Sequence, residues 1–258
     1  LAGFLIMGYY AVVVGWTIDY LYEAIVGNLQ GHTPEAYTQL FAELSGDTIY
    51  PILLVIGVMG LTCYIISQGV QSGIEKVSRF LMPMLFLLML GLAGYALSLD
   101  GAYEGLHFLF YPDFSDVTAR TFLDAMGQCF FSLSLGMGCL TTYASYFKKD
   151  VNLPKTAVQV ISIDTLVAII AGVIIFPAVF SFGVEPTQGP GLVYVVLPNV
   201  FQKMLGGQIL AIMFYALLFI AALTSIMSLL EVVTAYVHEK FNLSRTKSAI
   251  AVTVLVII

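Results

Sequence analysis

Two serines and two glycines lie in the middle of an otherwise apolar stretch, residues 123–147, that is long enough to cross a bilayer. Ser132 and Ser134 come just before Gly136 and Gly138. Each glycine costs about 1 kcal/mol in a helix interior, so we expect the helix to break here. A break inside a membrane frees backbone groups that must be buried in protein or line a wet cavity. Such groups could bind an ion or a small zwitterion; alternatively, the small residues let neighbouring helices pack closely.

An acidic residue follows in the next apolar segment. Asp164 lies nine residues after Lys155, which is about 14 Å along a helix. An aspartate at that depth costs about 2.5–3.5 kcal/mol on insertion scales unless another group compensates it. No lysine or arginine of the apolar spans lies at that depth. We therefore expect the aspartate to be compensated by a bound cation, a proton or a group outside this sequence. A monovalent cation fits the oxygens of a neighbouring broken helix; a protonated structural aspartate is the alternative.

Further oxygen ligands follow one face of a later apolar segment. Ala221, Thr224, Ser225 and Ser228 lie three or four residues apart and therefore share a helical face. Hydroxyls in such positions often bond only to the carbonyl one turn earlier. Two hydroxyls and a carbonyl are also hard oxygen ligands of the kind that suits sodium. For Glu231, which lies nearer the cytoplasm, we expect only a structural hydrogen bond.

The elements that must position these residues are transmembrane helices. Hydrophobic residues make up 59% of the 258 positions and charged residues 10%, which is unlike a soluble domain. The apolar runs predict one all-α integral membrane domain, because the ten-residue alternating segments of a membrane barrel are absent from the sequence. Both ends of the sequence lie in apolar segments, and we expect a fragment. The predicted spans are 1–26, 50–72, 74–98, 123–147 with a break at 134–138, 156–182 and 209–237, followed by a partial span at 246–258.

The distribution of positive charge predicts the orientation. Eight of the ten lysines and arginines fall in one set of alternate connections, and only Arg120 and Lys203 fall in the other. The positive-inside rule places the first set in the cytoplasm, so the first span runs outward. The outer connections are then 28–49, 100–122 and 183–208. Acidic residues of these loops supply much of the net charge of −6, which argues against a nucleic-acid partner.

The sequence argues against an enzyme or a metalloprotein. Its three histidines show no metal-ligand spacing, and no nucleophile, base and orienting group fall together. Cys129 and Cys139 are ten residues apart, about 15 Å on one helix, which is too far for a disulfide. Cys63 is likewise predicted to lie within a helix.

Four stretches resemble one transporter family in their order and spacing: "GYYAVVVGW", "CFFSLSLGMGCLTTYASY", "GPGLVYVVLP" and "ALTSIMSLL". They resemble the sodium-coupled neurotransmitter and amino-acid symporters, in the bacterial, leucine-transporter-like branch. The resemblance covers the whole chain and corresponds to the third through ninth helices of the family. It implies a multi-pass transporter of the cell membrane with a broken-helix, inverted-repeat fold, working by alternating access. We expect "GPGLVYVVLP" to form a short helix over the outer surface.

The resemblance assigns residues to a substrate site and to two sodium sites. Tyr10 would bind the substrate carboxylate, and Phe131 would close over the substrate as an aromatic lid. The substrate residues would be Ile6, Tyr10, Phe131, Ser132, Ser134, Met137, Ser225 and Leu229. The first sodium would be held by Ser132 and Asp164, and the second by Ala221, Thr224 and Ser225. Both sodium sites would be completed by the family's first helix, which lies outside this sequence.

The resemblance also implies a gate and a path for water. Tyr146 and Glu239 would close the inner gate around an arginine near the family's N-terminus, while Tyr10 and Phe131 form the outer gate. Gly73 and Pro83 match a pattern at the inner end of the family's fifth helix, where local unwinding would let water reach the second sodium. An ordinary proline kink is the alternative.

Two positions suggest the ion requirement and the substrate. Chloride-dependent relatives have a serine at the position of Ala168, and Asp164 here supplies a negative charge, so we expect chloride-independent transport. Met137 has an adaptable side chain, so we expect a large hydrophobic or aromatic amino acid as the substrate. The alternatives are a proton-coupled amino-acid permease of related fold, with Asp164 carrying the proton, and a non-transporting membrane receptor or scaffold.

Overall fold

The computed structural model describes residues 1–69, 74–111, 114–115, 117–147, 151–181 and 189–257. Five of its helices are long and apolar enough to cross a membrane: α1, α3, α4, α8 and α10. The all-α membrane architecture predicted from the sequence is confirmed. The helices are α1 (Ala2–Val26), α2 (Pro34–Gly46), α3 (Ile49–Ser67), α4 (Lys76–Ala96), α5 (Ala102–Phe110), α6 (Ala119–Ser132), α7 (Cys139–Ser145), α8 (Leu153–Ser181), α9 (Leu197–Lys203), α10 (Gly207–Phe241) and α11 (Arg245–Ile257), with a π-helical turn at Leu192–Val196 before α9.

The helix limits lie near those expected from hydropathy. Where both limits are described, the largest differences are four residues: α10 ends at Phe241 rather than at residue 237, and α6 begins at Ala119 rather than at residue 123. A Thr118–Thr121 capping box explains the earlier start, because it satisfies free backbone N–H groups of the first turn.

Helices α1 and α10 form the centre of the molecule. They pack against each other and against α3, and α10 also packs against α4. One buried cluster lies around the outer half of the pair and includes Tyr20, Phe214 and Tyr215. The other lies around the inner half and includes Met7 and Ile226. Because α1 and α10 take part in both clusters, they position the residues that line the middle of the membrane.

Two outer connections contain helices that were not predicted from the sequence. Helix α2 begins after Thr33, whose hydroxyl accepts a hydrogen bond from the backbone N–H of Ala36, with Pro34 at the first helical position. Helix α5 packs against α8, where Gly105 has no room for a Cβ beside the backbone of Pro177. The outer connections are therefore structured covers rather than plain loops.

The "GPGLVYVVLP" stretch is helical from Pro190 onward, but much of it is buried rather than laid over the surface. Leu197 and Val200 are buried in the outer cluster. The Tyr194 hydroxyl is 2.8 Å from the Thr17 hydroxyl, and burial raises the pKa of Tyr194 to about 12. Its hydroxyl therefore stays protonated at physiological pH and links this segment to α1. The expectation of a surface helix was wrong because large apolar side chains anchor the segment in the core.

Contacts between connections join the helix ends into two groups. At one end, Arg245 Nε donates to the carbonyl of Ile66 at 2.9 Å. At the other end, Gln208 Nε2 donates to the carbonyl of Ala24 at 3.3 Å, and the Tyr95 hydroxyl donates to the carbonyl of Leu205 at 3.0 Å. The grouping matches the alternation of inner and outer connections expected from the charge distribution.

Candidate functional site

The predicted break in the fourth span is present and separates α6 from α7. Ser134, Gly136 and Gly138 have φ values of 53°, 77° and 87°. This left-handed conformation carries a steric cost for residues with a Cβ and almost none for glycine. The residues from Leu133 to Gly138 therefore form a turn, one residue longer at its start than the predicted 134–138.

The break lies directly beside the acidic residue of α8. The Ser132 hydroxyl is 2.8 and 2.9 Å from the two carboxylate oxygens of Asp164. Asp164 is half-buried, and no salt bridge to its carboxylate occurs among the residues that the structure describes. The structure thus brings together a hydroxyl at a helix break and a carboxylate without a protein cation, the pair assigned by resemblance to the first sodium.

The oxygens assigned to the second sodium converge on one turn of α10. Thr224 Oγ1 donates to the carbonyl of Ala221 at 2.8 Å, and Ser225 Oγ donates to the same carbonyl at 3.1 Å. Ser228 Oγ bonds back to the Thr224 carbonyl and accepts from the Tyr143 hydroxyl at 2.9 Å. These hydroxyls make the local bonds that helical Ser and Thr favour. The bonds hold the Ala221 carbonyl oxygen and the Thr224 and Ser225 hydroxyl oxygens close together.

All eight residues predicted to contact the substrate line one cavity of about 320 Å³. It lies between α1, the α6–α7 break and α10. Gln128, Cys139 and Ser228 also line it, although no substrate role was predicted for them. Gln128 precedes Ser132 by four residues on the same helix, a spacing that could have identified it.

The cysteine prediction needs one correction. Cys129 lies on α6 and Cys139 on α7, so the two are not on one continuous helix as expected. Both are free thiols in the structure, as is Cys63. Cys139 is buried against the cavity, immediately after the break, whereas Cys129 is exposed.

Residues 42–258 match the model of the sodium:neurotransmitter symporter family. The chain belongs to this family. The resemblance that the four sequence stretches indicated is therefore confirmed, and so is the prediction of a multi-pass membrane protein. The sodium:neurotransmitter symporter family is a family of transporters, in line with the expectation that the chain is not an enzyme.

Two bacterial proteins are among the similar relatives. The chain is 39% identical over 246 residues to the sodium-dependent transporter YhdH of Bacillus subtilis, covering 95% of this chain and 54% of the relative. It is 40% identical over 254 residues to a sodium-dependent transporter of Haemophilus influenzae, covering 97% and 56%. The chain spans about half the length of these curated relatives.

A solved structure confirms the leucine-transporter-like fold. The crystal structure of MhsT in complex with L-phenylalanine is 46% identical in sequence and superposes with a TM-score of 0.90. The match covers 99% of this chain and 58% of MhsT. Because the match covers nearly the whole chain, the observed helix order and the helix break belong to this family's transporter fold.

A larger cavity of about 1070 Å³ opens from the inner connections of the chain. Thr224, Ser225 and Ser228 line its deep end, and Met82 lines its wall beside Pro83. Ser225 and Ser228 also line the substrate cavity, so the α10 hydroxyls lie between the two spaces. Pro83 lies inside α4, whereas Gly73 lies outside the described residues.

The inner end of the chain holds an ion pair that was not predicted from the sequence. Glu231 is fully buried and pairs with Arg245, while the Tyr146 hydroxyl donates to its other oxygen at 2.8 Å. Glu239, which was assigned to the inner gate with Tyr146, is exposed near the end of α10. The sequence did contain a signal for this ion pair. Glu231 lies inside a long apolar segment, and an intramembrane carboxylate requires a partner.

Proposed function

We propose that this protein transports a hydrophobic or aromatic amino acid together with sodium across the cell membrane by alternating access. The observation that carries the proposal is the contact between Ser132 and Asp164 at a helix break that borders the 320 Å³ cavity. Family membership supports the sodium dependence. Helices rocking around a fixed central site would expose it alternately to the two sides.

The proposed sodium ligands are those assigned by resemblance. Ser132 and Asp164 would contribute to one site; Ala221, Thr224 and Ser225 would contribute to the other. The family's first helix would complete both. Because Ser132 also lines the substrate cavity, sodium would tighten amino-acid binding, and the amino acid would tighten sodium binding by the same factor.

The proposed substrate follows from the cavity walls. Ile6, Met137 and Leu229 provide apolar surface and Phe131 an aromatic one, whereas Tyr10 offers a hydroxyl for the amino-acid carboxylate. The volume of about 320 Å³ is at the small end of the range of ligand pockets. The complex of MhsT with L-phenylalanine supports an aromatic or large aliphatic substrate.

We further propose that transport does not need chloride. The Asp164 carboxylate is half-buried beside Ser132 and supplies a fixed negative charge. This charge would balance the positive charge of sodium in place of a bound chloride. Ala168, one turn along α8, has no hydroxyl to hold an anion.

The test is uptake by the full-length protein in proteoliposomes. We expect a sodium gradient to drive accumulation of radiolabelled phenylalanine, leucine or tryptophan, and replacement of chloride by gluconate to leave uptake unchanged. Uptake that follows a proton gradient without sodium would support the permease alternative, in which Asp164 carries the proton. If no amino acid bound at any sodium concentration, the receptor or scaffold alternative would be favoured and the proposal would fail.

The inner cavity gives a second test of the mechanism. Pro83 removes a backbone donor within α4, beside the wall of the space that reaches Thr224 and Ser225. We propose that loosening of this helix helps water to reach the second sodium. Pro83→Ala should then lower the turnover of transport without changing substrate affinity, and an unaltered turnover would contradict this role.

A further inference from the structure

Helix α7 is held against α10 by two tyrosine hydroxyls. The Tyr143 hydroxyl donates to Ser228 Oγ at 2.9 Å. Three residues further along both helices, the Tyr146 hydroxyl donates to the Glu231 carboxylate at 2.8 Å. Among the described helices, α7 packs most extensively against α10. The position of α7 therefore depends largely on its contacts with this one helix.

The hydrogen bond between Tyr143 and Ser228 lies between two cavities. Ser225 and Ser228 line both the substrate cavity of about 320 Å³ and the inner cavity of about 1070 Å³. Of these two cavities, Tyr143 lines the inner one. Cys139, one turn before Tyr143 on the same helix, lines the substrate cavity. The two spaces therefore meet where α7 touches α10, and the hydroxyl pair closes that contact.

This contact can open at a small cost, because it joins two neutral hydroxyls. Ser228 Oγ also donates to the Thr224 carbonyl at 3.0 Å, so the serine keeps a partner when α7 moves away. The Tyr143 hydroxyl makes no other hydrogen bond to a described residue, and on moving away it would meet water in the inner cavity. One neutral hydrogen bond shifts an equilibrium by about fivefold, which is small enough to be made and broken in each transport cycle.

We propose that the hydrogen bond between Tyr143 and Ser228 is the barrier that separates the substrate cavity from the inner cavity. Tyr143 is a positioning residue: it binds neither the amino acid nor sodium, and it holds α7 against the hydroxyl-bearing face of α10. Opening of this contact joins the two cavities and lets the amino acid leave toward the inner side. The inference rests on the proposed transport function and adds to it a residue, Tyr143, to which the family resemblance assigned no role.

The test is the access of a thiol reagent to Cys139 from each side of the membrane. Cys139 is only 3% exposed and lines the substrate cavity, so a reagent from the inner side must pass Tyr143 and Ser228. The full-length protein, with Cys139 as its only cysteine, is reacted with a membrane-impermeant methanethiosulfonate in sodium buffer without amino acid. Inverted membrane vesicles present the inner side to the reagent, and right-side-out vesicles present the outer side.

We expect Tyr143→Phe, which keeps the ring, to raise the labelling rate in inverted vesicles about fivefold, the value of one neutral hydrogen bond. The rate in right-side-out vesicles should not rise. Ser228→Ala removes the other partner and should give the same increase, and the double variant should add nothing further because the bond is lost only once. Tyr236→Phe is the matched control: its hydroxyl lies on an exposed part of α10 and makes no hydrogen bond to a described residue. It should leave labelling unchanged.

Three outcomes would overturn the proposal. The first is an inner-side labelling rate that stays at the wild-type value in both single variants. The second is an equal increase from both sides, which would indicate general loosening of the fold. The third is an additive increase in the double variant, which would make the two side chains independent. The labelling needs no substrate, and sodium-driven uptake of amino acid is measured separately, so failure of the barrier is distinguishable from failure of the transport function.

Discussion

Asp164 and Glu231 both lie within long apolar helices of this chain, and their surroundings are opposite. Glu231 is fully buried, paired with Arg245 and bonded by Tyr146. Asp164 is half-buried and is bonded by the neutral hydroxyl of Ser132 alone among the described residues. A carboxylate with a protein cation is already neutralised, whereas one without it can accept a bound ion. Glu231 is therefore the paired acid, and Asp164 is the acid that we propose to bind sodium.

The largest effect is expected from breaking the pair at Glu231. Glu231→Ala leaves Arg245 without its charge partner, and we expect a loss of about 3 kcal/mol, at the lower end for buried pairs because Arg245 is 21% exposed. The unfolding midpoint in detergent measures the loss. Glu239→Ala, an exposed position on the same helix, should change stability by less than about 0.5 kcal/mol.

A double variant sharpens this prediction. Glu231→Ala combined with Arg245→Met removes both charges and should recover part of the loss, because an unpaired buried charge costs more than an absent pair. If the double variant were as unstable as the sum of the two single variants, the ion pair would not explain the stability.

The next effect concerns ion binding rather than stability. Asp164→Ala should lower the sodium affinity of amino-acid binding by at least about tenfold, since a carboxylate beside the cation is lost. A sodium titration of labelled phenylalanine binding to the full-length protein measures it. Asp124→Ala, at an exposed ion pair on α6, is the control. An unchanged sodium affinity with an unfolding midpoint as low as that of Glu231→Ala would make Asp164 a structural acid too.

The sequence predicted the neighbourhood of Asp164 better than that of Glu231. The break was predictable because Gly136 and Gly138 lie inside an apolar span, which is a local signal. The partner of Glu231 is on another helix, across a connection, and no local pattern shows that Arg245 turns back toward it.

The outer helices show the same limit. Thr33 and Pro34 are a recognisable helix start, so α2 could have been predicted from its cap. The burial of Tyr194 could not, because its partner Thr17 is 177 positions away in the sequence. The order of the spans follows from hydropathy alone, whereas the contacts between connections depend on the tertiary fold.

A smaller effect is expected at the break that positions Ser132 beside Asp164. Gly136 has a φ of 77°, and apart from its chain neighbours no described residue lies within 4 Å of a Cβ added there. Gly136→Ala therefore carries only the backbone cost, about 1 kcal/mol. Gly127→Ala, in the α6 helix and equally open, should be neutral or stabilising. Thermal unfolding of the two variants compares them directly. Equal midpoints would show that the left-handed turn is not held at Gly136.

The smallest effect is expected from the hydroxyl that touches Asp164. Ser132→Ala removes one neutral oxygen, and we expect sodium affinity to fall about threefold, close to the value of one hydrogen bond. Ser132→Thr keeps the hydroxyl and should restore most of the affinity. Ser162→Ala is the control, because that hydroxyl bonds only to the carbonyl of Val158 on its own helix. If the Thr variant were as weak as the Ala variant, the contribution of Ser132 would lie in its size rather than its oxygen. The contrast with Glu231, which has the charge of Arg245 beside it, would then rest on Asp164 alone.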